Sequence, residues 1–201
     1  MDKNDDAKCL QPQVFSESVN DYSSLVATAS AAVLLTGCGG GGGGSSTPVP
    51  VTISDASAVR FLSQAGFSAS PNEVAAVKSQ GYADWLDAQL ALPVQNGSRY
   101  DWMVANGYAV SENINNHVGM DSSIWRKFLS SPDQVRQRMT LALSEIFVVS
   151  VLGLPINWRA LAIAHYADLL ERHAFGNYRQ LLQDVTLSVA MGTYLNMSGN
   201  R

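Results

Sequence analysis

Two residues of this 201-residue chain sit in surroundings that call for chemistry, Glu145 and Cys38. Glu145 is the one ionisable residue between Met139 and Leu152. A carboxylate buried on so apolar a helix must either meet a cation or hold its proton, and the second state is that of a general acid or base. The plainer outcome is an ion pair. Arg138 lies two turns back at nearly the same azimuth, and Arg136 and Arg126 are also within reach. Glu145 is thus the weak catalytic candidate, with structural pairing the expectation.

Cys38 closes Leu35-Thr36-Gly37-Cys38, which reads as a lipobox after the charge-free run Leu25 to Leu35. That run suits the core of a signal peptide and falls short of the roughly 20 residues a membrane span needs. In a bacterium, cleavage before Cys38 and acylation of its thiol would tether the chain to a membrane. The flank departs from the usual positive start, because residues 1–24 set Lys3 and Lys8 against Asp2, Asp5, Asp6, Glu17 and Asp21.

The histidines are weaker candidates. His165 with Asp168, at i and i+3, forms a hydrogen-bonded pair or half a metal site. His173 lies eight residues beyond His165, about 12 Å of helical rise, too far to share one ion directly. His117 falls in an Asn-rich loop. Satisfied or solvent-facing histidines are expected, with no metal and no cofactor. Neither a His-Glu-x-x-His pattern nor a Gly-x-Ser-x-Gly elbow occurs. Trp85, Trp102, Trp125 and Trp158 could line a sugar platform, but Trp85 and Trp125 are more simply core anchors.

The elements that must position these residues read as helices throughout. Asp55 to Ala65 is the first. Ser70-Pro71-Asn72-Glu73 is a capping box that opens a second, stopped by Gly81. Tyr82 to Leu90 has helical apolar spacing and ends before Pro93, residues 94–120 are irregular, and Asp121 to Leu129 is helical again. Ser131-Pro132-Asp133-Gln134 repeats the cap signal ahead of the longest helix. There Val135, Met139, Ala142, Leu143, Ile146 and Val149 form one stripe, and the second half is apolar nearly all round. Such a helix belongs at the centre of a core. Asn157 caps a helix to about Ala174, and Asn177 opens the last, to about Ala190. The fold class is all-α, a multi-helix array or bundle.

Three regions follow: a signal-like leader with its lipobox (1–38), a Gly/Ser/Pro linker (39–53) and a helical domain (54–201). The net charge is −4, and removing residues 1–37 takes away five acids and two lysines, leaving 12 acids against 11 bases. So balanced a surface offers no electrostatic attraction to nucleic acid. Cys9 and Cys38 are the only cysteines, so the domain has neither a disulfide nor a cysteine metal site.

Asp133 to Met139 and Ala142 to Ser150 resemble a bacterial family known as domain of unknown function 1800. Phe61 to Phe67, Tyr82 to Leu90, His173 to Arg179, Thr186-Leu187 and Ala190 to Leu195 are similar to further blocks of it, covering most of residues 56–201. The resemblance implies export, often by a twin-arginine or lipoprotein signal, and a domain running on past Arg201; it supplies no activity. The chain is therefore expected to be an exported envelope lipoprotein, truncated at its C-terminus. Its helical domain would be a non-catalytic scaffold or partner-binding module, held to the membrane through Cys38, with its protein partner unknown. The alternative is the N-terminal part of an envelope hydrolase acting on cell-wall or extracellular polymer.

Overall fold

A computed structural model describes residues 52–197; the leader, the lipobox with Cys38 and most of the linker lie outside the described residues. Helix α1 (Asp55–Ala65) starts where the Ser54 hydroxyl accepts from the Ser57 N–H, at 3.2 Å. Helix α2 (Pro71–Gln80) opens with the full capping box: Ser70 accepts from Glu73 N–H, and Glu73 accepts from Ser70 N–H. Helix α3 (Tyr82–Ala91) follows Gly81, whose φ of 87° suits a residue without a Cβ. These three helices bury Ala58, Leu62, Val77 and Trp85 together, with Phe61 edge-on to Trp85.

The remaining helices are α4 (Arg99–Ala105), α5 (Met120–Ser130), α6 (Gln134–Ile146), α7 (Arg159–Arg172), α8 (Tyr178–Leu187) and α9 (Val189–Tyr194). No strand occurs among the described residues, so the all-α expectation holds. Helix α7 is the hub and packs against α4, α5, α6, α8 and α9. Nine of its residues are buried, among them Ala164 and Leu170 with no exposure at all. Helices α1 and α3 reach this assembly by resting on α6. Among the described residues no helix is long and apolar enough to cross a membrane.

Five expectations need correction. The segment 94–120 is not wholly irregular: it holds α4, capped by the Ser98 hydroxyl on Asp101 N–H, and a 3-10 turn at Ser111–Asn113. Helix α7 has its cap position at Trp158 and not at Asn157, and the last helix breaks at Ser188, whose hydroxyl caps α9. Trp125 is 55% exposed, and Phe128, one turn on, takes the buried place.

The fifth correction concerns α6. Its buried residues are Gln134, Arg136, Gln137 and Thr140, whereas Met139 and Ile146 face out, the latter 70% exposed. The polar side of this helix is the inner side.

This inversion sets a stability test. Leu170→Ala empties a closed position and should cost about 2–5 kcal/mol. Ile146→Ala should stay within about 0.5 kcal/mol, as surface substitutions do. Urea midpoints of the two variants decide it, and equal losses would restore α6 as the apolar core.

Glu73 supplies a pH test. Burial raises its pKa, but hydrogen bonds from Ser70 and Ser68 outweigh that and hold it below the ordinary 4.5. A depressed carboxylate contributes stability above the unfolded value and loses it as pH falls through the folded one. The penalty of Ser68→Ala should therefore be largest above pH 4.5 and shrink in acid, read from urea midpoints near neutrality and in acid.

Candidate functional site

The inward polar side of α6 meets charged groups from three other helices. Glu171, on α7, is 1% exposed and accepts from every side. The Lys127 ammonium of α5 donates to both its oxygens at 2.7 and 2.5 Å, Arg99 Nη1 of α4 donates at 2.8 Å, and Gln137 Nε2 of α6 at 2.5 Å. Arg99 and Lys127 are themselves wholly buried. Burial pushes the Lys127 ammonium below its ordinary 10.5, while the hydrogen bond and charge of Glu171 pull the other way.

Asp168, one turn before Glu171, has a different task. Its carboxylate accepts from the backbone N–H of Arg99 at 2.8 Å and of Tyr100 at 3.0 Å, and from Arg99 Nη1 at 3.3 Å. These are the first two N–H groups of α4, and Ser98 takes the third. An anion from α7 thus completes the start of a seven-residue helix that is too short to be stable alone. Asp133, just before α6, turns inward instead of capping that helix. It accepts from the Ser131 hydroxyl and from Gln137 Nε2 at 3.2 Å, and lies 3.6 Å from Arg136 Nε.

Arg136 also donates to Leu92 O at 2.8 Å and lies over the Phe175 ring. Gln134 ties Phe67 N–H, at 2.8 Å, to the carbonyls of Ser131 and Phe128. The cluster therefore sets three cations (Arg99, Lys127, Arg136) against three carboxylates (Asp133, Asp168, Glu171), all buried. Each carboxylate is met by donors, so none is left poised to take a proton from a substrate.

The sequence candidates fall elsewhere. Glu145 is exposed on the outer side of α6, and no ion pair joins it to Arg138, Arg136 or Arg126 among the described residues. Arg138 is exposed over Phe67, and Arg126 lies over Trp102. His165 is exposed, edge-on to Tyr100, and no hydrogen bond links it to Asp168. The half-site is not formed, because Asp168 is taken by α4.

His117 faces solvent, and His173 pairs through Nε2 with Asp184 at 2.7 Å. Among the described residues no three His, Cys, Asp or Glu side chains group to hold a metal. Beside the cluster, α5 and α6 diverge over α7 to leave a cavity of about 340 Å³, with Trp125, Leu141 and Phe147 on its walls. The residues missed by sequence reasoning are Arg99, Lys127, Gln137 and Glu171. The signal for them was an acid pair at i and i+3, Asp168 and Glu171, flanking Leu169-Leu170.

Residues 60–201 match the family described as "Protein of unknown function (DUF1800)". The chain belongs to this family. The matched span contains every member of the buried cluster, and the family's description assigns no reaction to it. No curated protein and no solved structure matches the chain.

The cluster predicts a sharp contrast between two glutamates. Glu171→Gln leaves Arg99 and Lys127 buried with too little countercharge and should cost about 3–5 kcal/mol. Glu145→Gln should change the urea midpoint by no more than a surface substitution, about 0.5 kcal/mol. A large loss in the second variant would show that Glu145 has a buried partner after all.

Proposed function

We propose that this member of the DUF1800 family is a lipid-anchored protein of the bacterial cell envelope whose helical domain is a scaffold or partner-binding module, not a catalyst. The lipobox ending at Cys38 and the Gly-rich stretch after it support the anchor. The observation that carries the binding role is the uncovered apolar face at the end of α6. Ile146 and Leu152 are 70% and 79% exposed, Val148 is exposed between them, and Phe147 meets the exposed Tyr178 of α8 at 6.5 Å. Leu182, one turn after Tyr178 on α8, is exposed as well.

Soluble domains seldom leave such a group of large apolar side chains to water, and those that do commonly use it for contact. A hydrolase would instead need an acid or a carboxylate pair facing an open cleft. Asp133, Asp168 and Glu171 all face cations and amides in the interior, so no observation favours that alternative.

Both parts of the proposal are testable in cells. Labelled fatty acid should enter the wild-type chain and fractionate with membranes, while Cys38→Ala should take up no label and appear in the soluble fraction. Identical fractionation would remove the anchor. A photo-crosslinking residue at Ile146 or Leu152 should give a discrete adduct that the same residue at exposed Asp87 does not. Equal or absent adducts at these positions would remove the partner face.

A further inference from the structure

Between the chain entering α7 and the short α9 lies a second cavity, of about 570 Å³. That volume falls within the roughly 300–1,000 Å³ typical of small-molecule sites. Tyr100, Trp158, Leu161, His165, Val189 and Ala190 form the walls the argument needs. None of them belongs to the apolar face assigned above to a partner, so this inference stands apart from that reading.

The lining has no Asp, Glu, Lys or Arg. The two stretches that supply half of its lining, residues 146–158 and 185–197, contain none either, and no histidine. Two of its polar groups are committed. The Tyr166 phenol donates to Phe147 O at 2.9 Å, and burial pushes its pKa up to about 12, so it stays neutral. The Ser188 hydroxyl donates to Val185 O and caps α9. The Tyr100 hydroxyl, the Asn157 amide, the Trp158 indole N–H and the His165 ring nitrogens make no side-chain hydrogen bond among the described residues, which leaves them for a ligand.

The wall is held in place by the backbone. Trp158 has φ 60°, an uncommon conformation for so bulky a residue, and its N–H is fixed to Ile114 O at 2.8 Å. Tyr100 and His165 stand nearly perpendicular, with centroids 6.2 Å apart. A charged ligand entering here would shed water and find no Asp, Glu, Lys or Arg on the walls to meet it. A flat ring, by contrast, would find aromatic neighbours able to meet it face-on or edge-on. We propose that this cavity binds an uncharged, ring-bearing small molecule, seated among Tyr100, Trp158 and His165 and hydrogen-bonded to His165.

The test uses the full chain carrying Cys38→Ala, which keeps a membrane out of the assay, and two fluorescent probes. N-phenyl-1-naphthylamine is neutral, and 8-anilinonaphthalene-1-sulfonate adds an anionic group to a similar ring system. The neutral probe should saturate at one per chain, with the sulfonate about tenfold weaker or more, the cost of an unmatched charge. Val189→Trp, at a rim position 69% exposed and therefore tolerant of bulk, should abolish saturable binding without moving the urea midpoint. His165→Leu should weaken it several-fold, and Leu141→Trp, in the smaller cavity, should leave it unchanged. Three results would overturn the proposal: no saturation, equal binding of both probes, or loss in Leu141→Trp with retention in Val189→Trp.

Discussion

The burial of the Glu171 carboxylate is the constraint on which the rest of this fold turns. One anion on α7 takes hydrogen bonds from α4, α5 and α6 at once, through Arg99, Lys127 and Gln137. Each bond has a direction as well as a length, so the rotation of each helix about its axis is fixed along with its approach. Replacing such a set wholesale by apolar residues is often neutral or stabilising, whereas removing one member is costly. Its contribution is therefore to arrangement more than to net stability. The apolar clusters are separate, one among α1–α3, one between α4 and α7, and one among α7–α9. The polar cluster spans α4 to α7 and ties these parts into one register.

Asp168 shows how far this dependence reaches. A seven-residue helix such as α4 has more unsatisfied N-terminal donors than it can easily offset. Two of those donors end on Asp168, on an element nearly seventy residues away in sequence. Local propensity in 94–120 says loop, and locally that is correct. The helix exists because α7 brings it an anion, and no window of sequence around Arg99 contains that information. For the same reason the i, i+3 pairing of His165 with Asp168 misled: the spacing was right and the competing partner was out of view.

Much of the rest was legible. The helix at Asp55–Ala65, the capping box at Ser70 and the cap at Asn177 stand where their residues place them, since each rests on contacts within one turn. The failure at α6 has a specific cause. An amphipathic pattern gives a helix two sides but not which one is inside, and the usual assumption is that the apolar side is. In this domain buried charge from α4, α5 and α7 makes the polar side the better inner face. Only 15% of the chain is charged, yet three acids and three bases of that small stock are committed to the interior. The paired acids on α7 were the one local hint, and their partners could not be located without the fold.

That same choice explains the outer surface. Gln137 and Ile146 are nine residues apart, which at about 100° per residue puts them on opposite sides of α6. A helix that turns Gln137 toward Glu171 has to turn Ile146 toward solvent. The exposed apolar face is thus the geometric complement of the buried ionic cluster. Its cost is offset only if something apolar covers it or if the cluster holds α6 firmly enough to tolerate it. The second condition is met by geometry, because α6 cannot roll to hide Ile146 without withdrawing Gln137 from a buried carboxylate, and the proposed partner would meet the first on that rigid surface. Paired with one another in the interior, these charges dictate which side chains the domain offers to its surroundings.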